Sequence, residues 1–306
     1  MIFNLSIKDI KFTNFYKRFN IFSLILALLS AFTILFQGLN LGVDFKGGTL
    51  IELRTENFQI GISEIRQSFL KMNLGEVSVQ KFGNENDYLV KIQQTNQQDT
   101  NFIKKINQQI SKDVGSNINF RRVENVGPKV SHELIRSAAI AIALSMFAML
   151  VYIWFRFEWQ FSLASIIALV HDVLITLGIF SILSLEVNLS IVAALLTIVG
   201  YSLNDTVVIF DRIRENLKKY SKIPIGEISD ISTNETLSRT VITSLTTLLA
   251  LLSIYFFGGE ILKGFSFAMI IGVIIGTYSS IFVATPILNY SKVSQKSVLK
   301  GEDKDN

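Results

Sequence analysis

The chain has 306 residues, a net charge of +4 and 49% hydrophobic residues, and its mean hydropathy of +0.42 exceeds that of a soluble domain. Cysteine is absent, which excludes a disulfide framework and a thiolate metal site. The small, unevenly placed charge argues against nucleic-acid binding. With two histidines and no P-loop or HExxH pattern, nothing indicates a nucleotide-driven or metal-driven machine, and no cofactor or metal is expected.

The first 19 residues combine basic and aromatic side chains ahead of the first apolar run. Phe12, Phe15, Tyr16 and Phe19 share one helical face. This pattern predicts a short interfacial helix in the headgroup region, within a cytoplasmic segment over residues 1–19.

Six apolar runs are long enough, or nearly so, to cross a hydrocarbon core of about 30 Å. The first also resembles a signal peptide because Lys17 and Arg18 precede it. No convincing small-x-small cleavage site follows, so we expect a retained span. The predicted spans are residues 20–37, 134–155, 160–184, 188–211, 240–258 and 264–288.

A stretch with soluble composition, residues 38–133, separates the first two spans. Its hydrophobic periodicity predicts elements in the order β-α-β-β-α-β, the order of a ferredoxin-like split βαβ unit. Nothing in it resembles a catalytic cluster, which favours a binding or docking module. The predicted strands are Gly47–Thr55, Glu76–Phe82, Tyr88–Ile92 and Asn117–Val123, and the helices are Ile62–Met72 and Asn101–Val114.

Basic residues are distributed asymmetrically between the short loops. They cluster before the first span, after the fourth and after the sixth, whereas the opposite short loops hold only Lys263. The positive-inside rule therefore places both termini in the cytoplasm and the domain over 38–133 in the periplasm. The expected fold class is an α-helical membrane protein with six transmembrane helices and one periplasmic α+β ferredoxin-like domain between the first two.

Two cytoplasmic segments complete the predicted organisation. Residues 212–239 are predicted to form an amphipathic connection, in which Arg212–Lys222 is a second interfacial helix. Ser232 and Glu235 have the spacing of a capping box that opens the helix leading into the fifth span. Residues 289–306 form a cytoplasmic tail.

Asp205 lies well inside the fourth span. An acid at the centre of a spanning helix costs about 2.5–3.5 kcal/mol on insertion scales, so such residues usually serve proton or ion movement. Arg239 begins the fifth span from the same side and at a comparable depth. The two are expected to form a pair whose strength depends on protonation of the acid. A static ion pair that only fixes two helices is the alternative.

Further polar residues in the spans accompany this predicted proton-relay pair. A neighbouring His and Asp in the third span form either a titrating pair or a hydrogen bond that holds helices together. Small residues at Ala268, Gly272, Gly276 and Ser280, and at Ser137, Ala141 and Ser145, indicate close packing against other helices. The secondary polar residues are Tyr201, Asn204, Thr243, Thr247, His171 and Asp172.

Five motifs in order resemble the SecD/SecF family of protein translocase subunits, and within it the SecF members. The likeness covers nearly the whole chain, including the six spans and the place of the outer domain. The motifs are GVDFKGGT (42–49), VGPKVSHEL (126–134), HDV (171–173), GYSLNDTVVIFDRIREN (200–216) and RTVITSLTT (239–247).

The resemblance implies a bacterial inner-membrane subunit that works with SecD beside the SecYEG channel, with YajC- or YidC-type proteins as possible neighbours. It implies use of the proton motive force to draw preproteins across the membrane, and relatedness to resistance-nodulation-division transporters. The family's relay acid and its arginine partner fall on Asp205 and Arg239.

Three other functions compete with this reading. The first is a structural subunit that scaffolds the translocase without ion conduction of its own. The second is a small-molecule proton antiporter, which normally needs twelve spans and two outer domains, twice the number that this sequence predicts. An enzyme is not expected, because no nucleophile-base or metal constellation can be assembled from the residues present.

Overall fold

The computed structural model describes residues 10–57, 60–75, 77–92, 100–220, 222–291 and 293. Within these ranges six helices are long and apolar enough to cross a membrane, with window hydropathies between 1.7 and 2.3. The chain divides into two compact units. One comprises residues 1–40, 140–185 and 190–306, and the other residues 41–139 and 186–189.

The six long helices of the described chain agree in number and order with the predicted spans. The helices are α1 (Thr13–Phe36), α5 (Pro128–Arg156), α6 (Trp159–Ile182), α7 (Leu189–Lys219), α8 (Ile225–Phe257) and α9 (Glu260–Ser279), the last continued by a π-helical segment (Ser280–Ala284) and α10 (Thr285–Tyr290).

The π-helical segment has a local cause in the sequence. Pro286 has no backbone N–H and cannot complete a regular helical hydrogen bond to Phe282, so the preceding turn widens. Thr285 compensates, because its hydroxyl donates to the Ser280 carbonyl five residues earlier, at 2.8 Å.

The N-terminal aromatic residues lie differently from the interfacial helix that we predicted. From Thr13 onwards they belong to α1, in one continuous helix with the first span. Phe12 and Tyr16 are buried, and both lie edge-on to Phe282, with ring centroids 6.1 and 6.5 Å away. The aromatic face therefore packs on the π-helical segment. Residues 1–9 of the predicted interfacial segment lie outside the described residues.

The predicted connection over 212–239 is also helical for most of its length. Instead of a separate interfacial helix, α7 continues to Lys219, and α8 begins at Ile225 directly after Pro224. The proposed capping box is therefore wrong, because Ser232 is fully buried inside α8. A proline fixes the start of the helix, and the Ser232 hydroxyl accepts a hydrogen bond from Asn216 instead. Of the tail over 289–306, only residues 289–291 and 293 are described.

The second unit contains the α+β elements in the predicted order. The sheet order β3-β4-β2-β5, antiparallel throughout, is compatible with a ferredoxin-like split βαβ unit. A two-stranded sheet pairs β1 with β6, and a short helix, α2, follows β1. The elements are β1 (Asn40–Leu41), α2 (Val43–Lys46), β2 (Gly48–Thr55), α3 (Ile62–Lys71), β3 (Val77–Lys81), β4 (Asp87–Ile92), α4 (Thr100–Val114), β5 (Ile118–Val126) and β6 (Glu186–Val187).

The core of this unit follows from the alternation of side chains along its strands. Every second residue of β2 and β4 points toward α3 and α4 and is buried, as the period of a half-buried strand requires. Ile51 pairs with Val90 in the register of β2 and β4. The largest buried core residues are Ile51, Leu53, Ile65, Phe69, Tyr88, Ile92 and Ile110.

The glycine motif at the start of β2 is a structural turn. Gly47 and Gly48 have φ angles of 78° and 126°, which L-residues with a side chain rarely adopt. The turn brings α2 next to the start of α7, where the Asp44 carboxylate accepts a hydrogen bond from the Leu189 N–H at 3.0 Å. Asp44 thereby satisfies one of the free N–H groups at that helix end. Lys91 of β4 forms an ion pair with Glu186 beside it.

An ion pair between a half-buried arginine and a buried aspartate joins β2 and β4 in this sheet. Arg54 donates two hydrogen bonds to Asp87, at 2.6 and 2.7 Å, and these bonds lower the pKa of the Asp87 carboxyl. A lowered folded-state pKa means that the stabilisation is present above about pH 3.9, the ordinary value, and is lost as pH falls through the folded-state value.

We therefore expect Asp87→Asn to lower the free energy of unfolding of this unit by about 1–2 kcal/mol at pH 7, since Arg54, still 35% exposed, retains part of its hydration. The effect should shrink below pH 4. Amide hydrogen exchange of β2 and β4 in the full chain measures it. Glu124→Gln, at an exposed pair on β5, is the control and should change little. Equal losses in both variants would contradict this account.

Candidate functional site

Asp205 lies on the inner face of α7, where its side chain is 2% exposed. Two hydroxyls face its Oδ2 atom. The Ser244 hydroxyl of α8 lies 3.5 Å and the Thr277 hydroxyl of α9 3.4 Å from it, and the two hydroxyls lie 2.7 Å apart. Because each hydroxyl has one proton, one of them donates to the other while the second donates to Asp205. The carboxyl group therefore sits where three helices meet, in contact with weak, neutral donors.

Arg239 does not form the contact that the sequence suggested. Among the described residues, no nitrogen of Arg239 lies within the ion-pair limit of 4.0 Å from the Asp205 carboxylate, and the Arg239 side chain is exposed. Arg239 precedes Ser244 by five residues, which turns it about 140° around α8. The two charges still interact electrostatically over a longer distance. The relay role assigned to both residues stays a prediction.

Three of the secondary polar residues come together at the junction of α7 and α8. The Tyr201 hydroxyl donates to the Thr243 carbonyl at 3.3 Å and to the Thr247 hydroxyl at 3.2 Å. Asn204, the neighbour of the buried acid, points outward and is exposed. Tyr201 thus fixes α7 on the Arg239 face of α8, away from the carboxyl group of Asp205.

Asp172 is the centre of a second polar cluster and is fully buried. Its Oδ1 atom lies 3.0 Å from His171 Nδ1, and its Oδ2 atom accepts from Ser202 of α7 at 2.6 Å and from Ser279 of α9 at 2.8 Å. The predicted neighbour contact of His171 and Asp172 is therefore present, and the acid joins α6, α7 and α9.

Close packing of α7 and α9 makes both clusters possible. A Cβ atom on Gly272 would lie 2.3 Å from Ile198 Cγ1, and one on Gly276 would lie 2.9 Å from Ser202 Cβ. The small-residue repeat predicted close helix packing, and these contacts confirm it. Sequence reasoning missed Ser202, Thr277 and Ser279. The sequence carried a usable signal for them, because Thr277 and Ser279 follow Gly276 of that repeat and Ser202 lies about one helical turn before Asp205.

Ionic contacts surround the basic end of α7 and the adjoining part of α8. Arg156 bonds Asp211 at 3.2 Å, and Arg212 bonds Glu215 and Glu235 at 2.6 Å each. All of these side chains are at least 36% exposed. Asp211 and Arg212 therefore lie at the hydrated end of α7, whereas Asp205 does not.

Comparison with known families supports the motifs. The model for the family "Protein export membrane protein SecD/SecF, C-terminal" matches residues 106–294, and that for the SecD/SecF GG motif matches residues 32–57. The chain belongs to the SecD/SecF family. The resemblance carried by the five motifs is thereby confirmed, and the chain is a multi-pass membrane protein.

Individual relatives agree with this assignment. The protein translocase subunit SecF of Rickettsia bellii is 46% identical over 281 residues, covering 92% of each chain. That of Cereibacter sphaeroides is 47% identical over 283 residues, covering 90% of this chain and 87% of the relative.

A solved structure agrees as well. The crystal structure of SecDF, a translocon-associated membrane protein from Thermus thermophilus, superposes with a TM-score of 0.84 at 36% identity. The superposition covers 94% of this chain and 39% of that chain, so this chain spans about two fifths of the SecDF polypeptide. A SecDF structure in a super-membrane-facing form fits with a TM-score of 0.68 at 35% identity.

Proposed function

We propose that this chain is an inner-membrane subunit of the Sec machinery that, together with SecD, uses the proton motive force to promote preprotein export. Both termini lie in the cytoplasm and the α+β unit lies in the periplasm. SecD is the partner because the SecDF relative is one polypeptide of which this chain matches only a part. SecYEG, YajC- or YidC-type proteins and the exported chains complete the expected partners. No enzymatic step is proposed.

One observation carries this proposal. Asp205 is 2% exposed among spanning helices, and the described part of the chain places only two neutral hydroxyls within hydrogen-bond distance of its carboxyl group. A buried carboxylate without a contacting cation is costly. Gain and loss of a proton at this atom therefore change the energy with which α7, α8 and α9 pack together.

The membrane potential supplies enough energy for such a change. A proton that crosses the full potential releases about 2.3 kcal/mol per 100 mV. Since 1.4 kcal/mol is tenfold, this energy biases a two-state equilibrium about fiftyfold. The neutral acid attracts Arg239 less, and its bonds to Ser244 and Thr277 rearrange. Helix α5 follows β5 directly in the chain, which gives movement of the spans a route to the outer domain.

The unequal fit to the two SecDF structures supports a two-state mechanism. Sequence identity to this chain is 36% and 35%, yet the TM-scores are 0.84 and 0.68. Almost equal identity with unequal superposition means that SecDF structures differ in conformation.

A scaffold subunit without ion conduction is the second candidate. It is favoured by the exposure of α5. Only 6% of the most apolar 18-residue stretch of this helix is buried within the described chain. Such a helix presents most of its surface to lipid or to another protein. In this function the polar clusters would only hold helices in place.

Charge-neutral variants separate the two functions. Asp205→Asn and Arg239→Gln should still co-purify with SecD under mild detergent but should not support export driven by the proton motive force. Loss of co-purification, together with loss of export, would favour the scaffold. Normal export in both variants would reject the proton-driven function.

A further inference from the structure

The buried face of α8 consists almost entirely of hydroxyl side chains on one side of Asp205. Four of them repeat every four residues, so neighbouring members face each other and the row winds about 120° around the helix from its first member to its last. We call this set the hydroxyl ladder. Each member is at most 8% exposed. The ladder comprises Ser232, Thr236, Thr240 and Ser244.

The two ends of the ladder differ in hydration. At one end, the Ser244 hydroxyl lies 3.5 Å from Asp205 Oδ2. At the other, Ser232 accepts from Asn216 at 2.9 Å, and Asn216 also donates to Glu235 at 2.7 Å, where side chains become exposed. Twelve residues of helix separate Ser232 from Ser244, a rise of about 18 Å. The ladder thus runs from the buried acid toward the hydrated N-terminal part of α8, where Glu235 is exposed.

Two buried hydroxyls beside or within the ladder have no hydrogen-bond partner in the described part of the chain. They belong to Thr233 and Thr240, each 1% exposed. The two residues are seven positions apart, so they lie within about 20° of each other around the helix. Tyr16 of α1 has a third such hydroxyl. Helix α1 contacts this part of α8, because the backbone N–H and the hydroxyl of Thr13 donate to the Asp230 carboxylate at 2.9 and 2.7 Å.

Packing alone does not account for these two threonines. A threonine inside a membrane helix ordinarily bonds back to a carbonyl of the preceding turn, as Thr236 does to Ser232 at 2.9 Å and Thr233 at 3.2 Å. Thr233 and Thr240 make no such bond. Close packing would be served as well by alanine, whereas a buried hydroxyl without a partner is costly unless water satisfies it.

From these contacts we infer that the hydroxyl ladder, with Thr233, holds a file of water molecules that carries protons between Asp205 and the cytoplasm. The inference rests on the proposed function. In the release step the O–H bond of protonated Asp205 breaks and its proton passes to the nearest water. The file then delivers one proton past Asn216 and Glu235 to bulk water, and Asp205 returns to its carboxylate form.

A transport assay in membrane vesicles that contain the assembled complex tests this route. The double variant Thr233→Val and Thr240→Val removes the two hydroxyls with little change in shape. It should lower the export that depends on the proton motive force at least about tenfold, because the loss of even one of the two water–hydroxyl hydrogen bonds costs up to that factor. The corresponding double variant with serine keeps the hydroxyls and should retain wild-type export.

Matched controls separate this inference from the proposed function. Thr246→Val makes the same substitution on the same helix at an exposed threonine that bonds its own helix, and it should leave export unchanged. If Asp205→Asn is inactive while the double valine variant exports normally, the water file is rejected and the proposed function stands. If Asp205→Asn exports normally, the proposed function itself fails.

Water access gives a second readout that does not depend on export. The chain has no cysteine, so single-cysteine variants have no labelling background. A maleimide reacts with a thiolate, which forms only where water reaches it. Thr240→Cys should be labelled in membranes at least tenfold faster than Leu251→Cys, a buried position on the far side of Ser244. Equal rates would reject the water file.

Discussion

Asp205→Asn is expected to remove the part of export that depends on the proton motive force, a reduction of about fiftyfold at a potential of 100 mV. The amide keeps the shape of the side chain and a carbonyl that accepts from Ser244 or Thr277, but it can neither gain nor lose the proton. Export that depends only on ATP should persist. The rates of preprotein translocation into vesicles, with and without an ionophore, measure the difference.

Asp211→Asn is the matched control for this variant. It changes the same functional group on the same helix, but Asp211 is 44% exposed and pairs with Arg156 at 3.2 Å. An exposed pair contributes little, so export and its dependence on the gradient should stay within about twofold of wild type. An equal loss in both variants would mean that charge on α7, and not burial of Asp205, accounts for the defect.

Gly272→Ala is expected to destabilise the helix bundle by about 1–3 kcal/mol, the usual cost of overpacking. The added Cβ atom would lie 2.3 Å from Cγ1 of Ile198, a β-branched side chain with little rotamer freedom. Either α9 moves away from α7 or the isoleucine leaves its rotamer. Because Thr277 is on α9, the first response also weakens its contact with Asp205. The midpoint of thermal unfolding in detergent measures the loss.

Gly264→Ala is the control on the same helix. Its Cβ atom would meet Ile191 Cδ1 at 3.4 Å, an ordinary contact, and alanine favours helix over glycine by about 1 kcal/mol. The two identical substitutions should therefore change the stability of the helix bundle in opposite directions. A gain in stability from Gly272→Ala would show that α7 and α9 do not approach as closely as the structure places them.

The six long helices and the order of the α+β elements could be predicted because both depend on local pattern. A run of twenty apolar residues has few alternatives to a spanning helix. The alternation along β2 and β4 likewise distinguishes one face of a strand from the other. Predictions at the ends of the helices failed, because a capping pattern such as that of Ser232 and Glu235 also occurs inside a helix whose start Pro224 determines.

The neighbours of Asp205 could not be predicted from the sequence, for a different reason. Depth along a helix can be counted from the sequence, whereas the rotation of one helix against another depends on packing. The sequence places Arg239 and Asp205 at comparable depths, but Arg239 does not face the acid, and Ser244 and Thr277 lie beside it instead. Thr277 carries no charge to attract notice in an apolar span. Only the contact of α9 with α7 at Gly272 and Gly276 brings it there.

Infrared difference spectroscopy of the complex in membranes, before and after a proton gradient is applied, examines most directly whether Asp205 takes up a proton. The account predicts a carbonyl band of a protonated carboxylic acid that appears with the gradient in the wild type and in Asp211→Asn, and that is missing in Asp205→Asn. A band of equal size in all three proteins would contradict it.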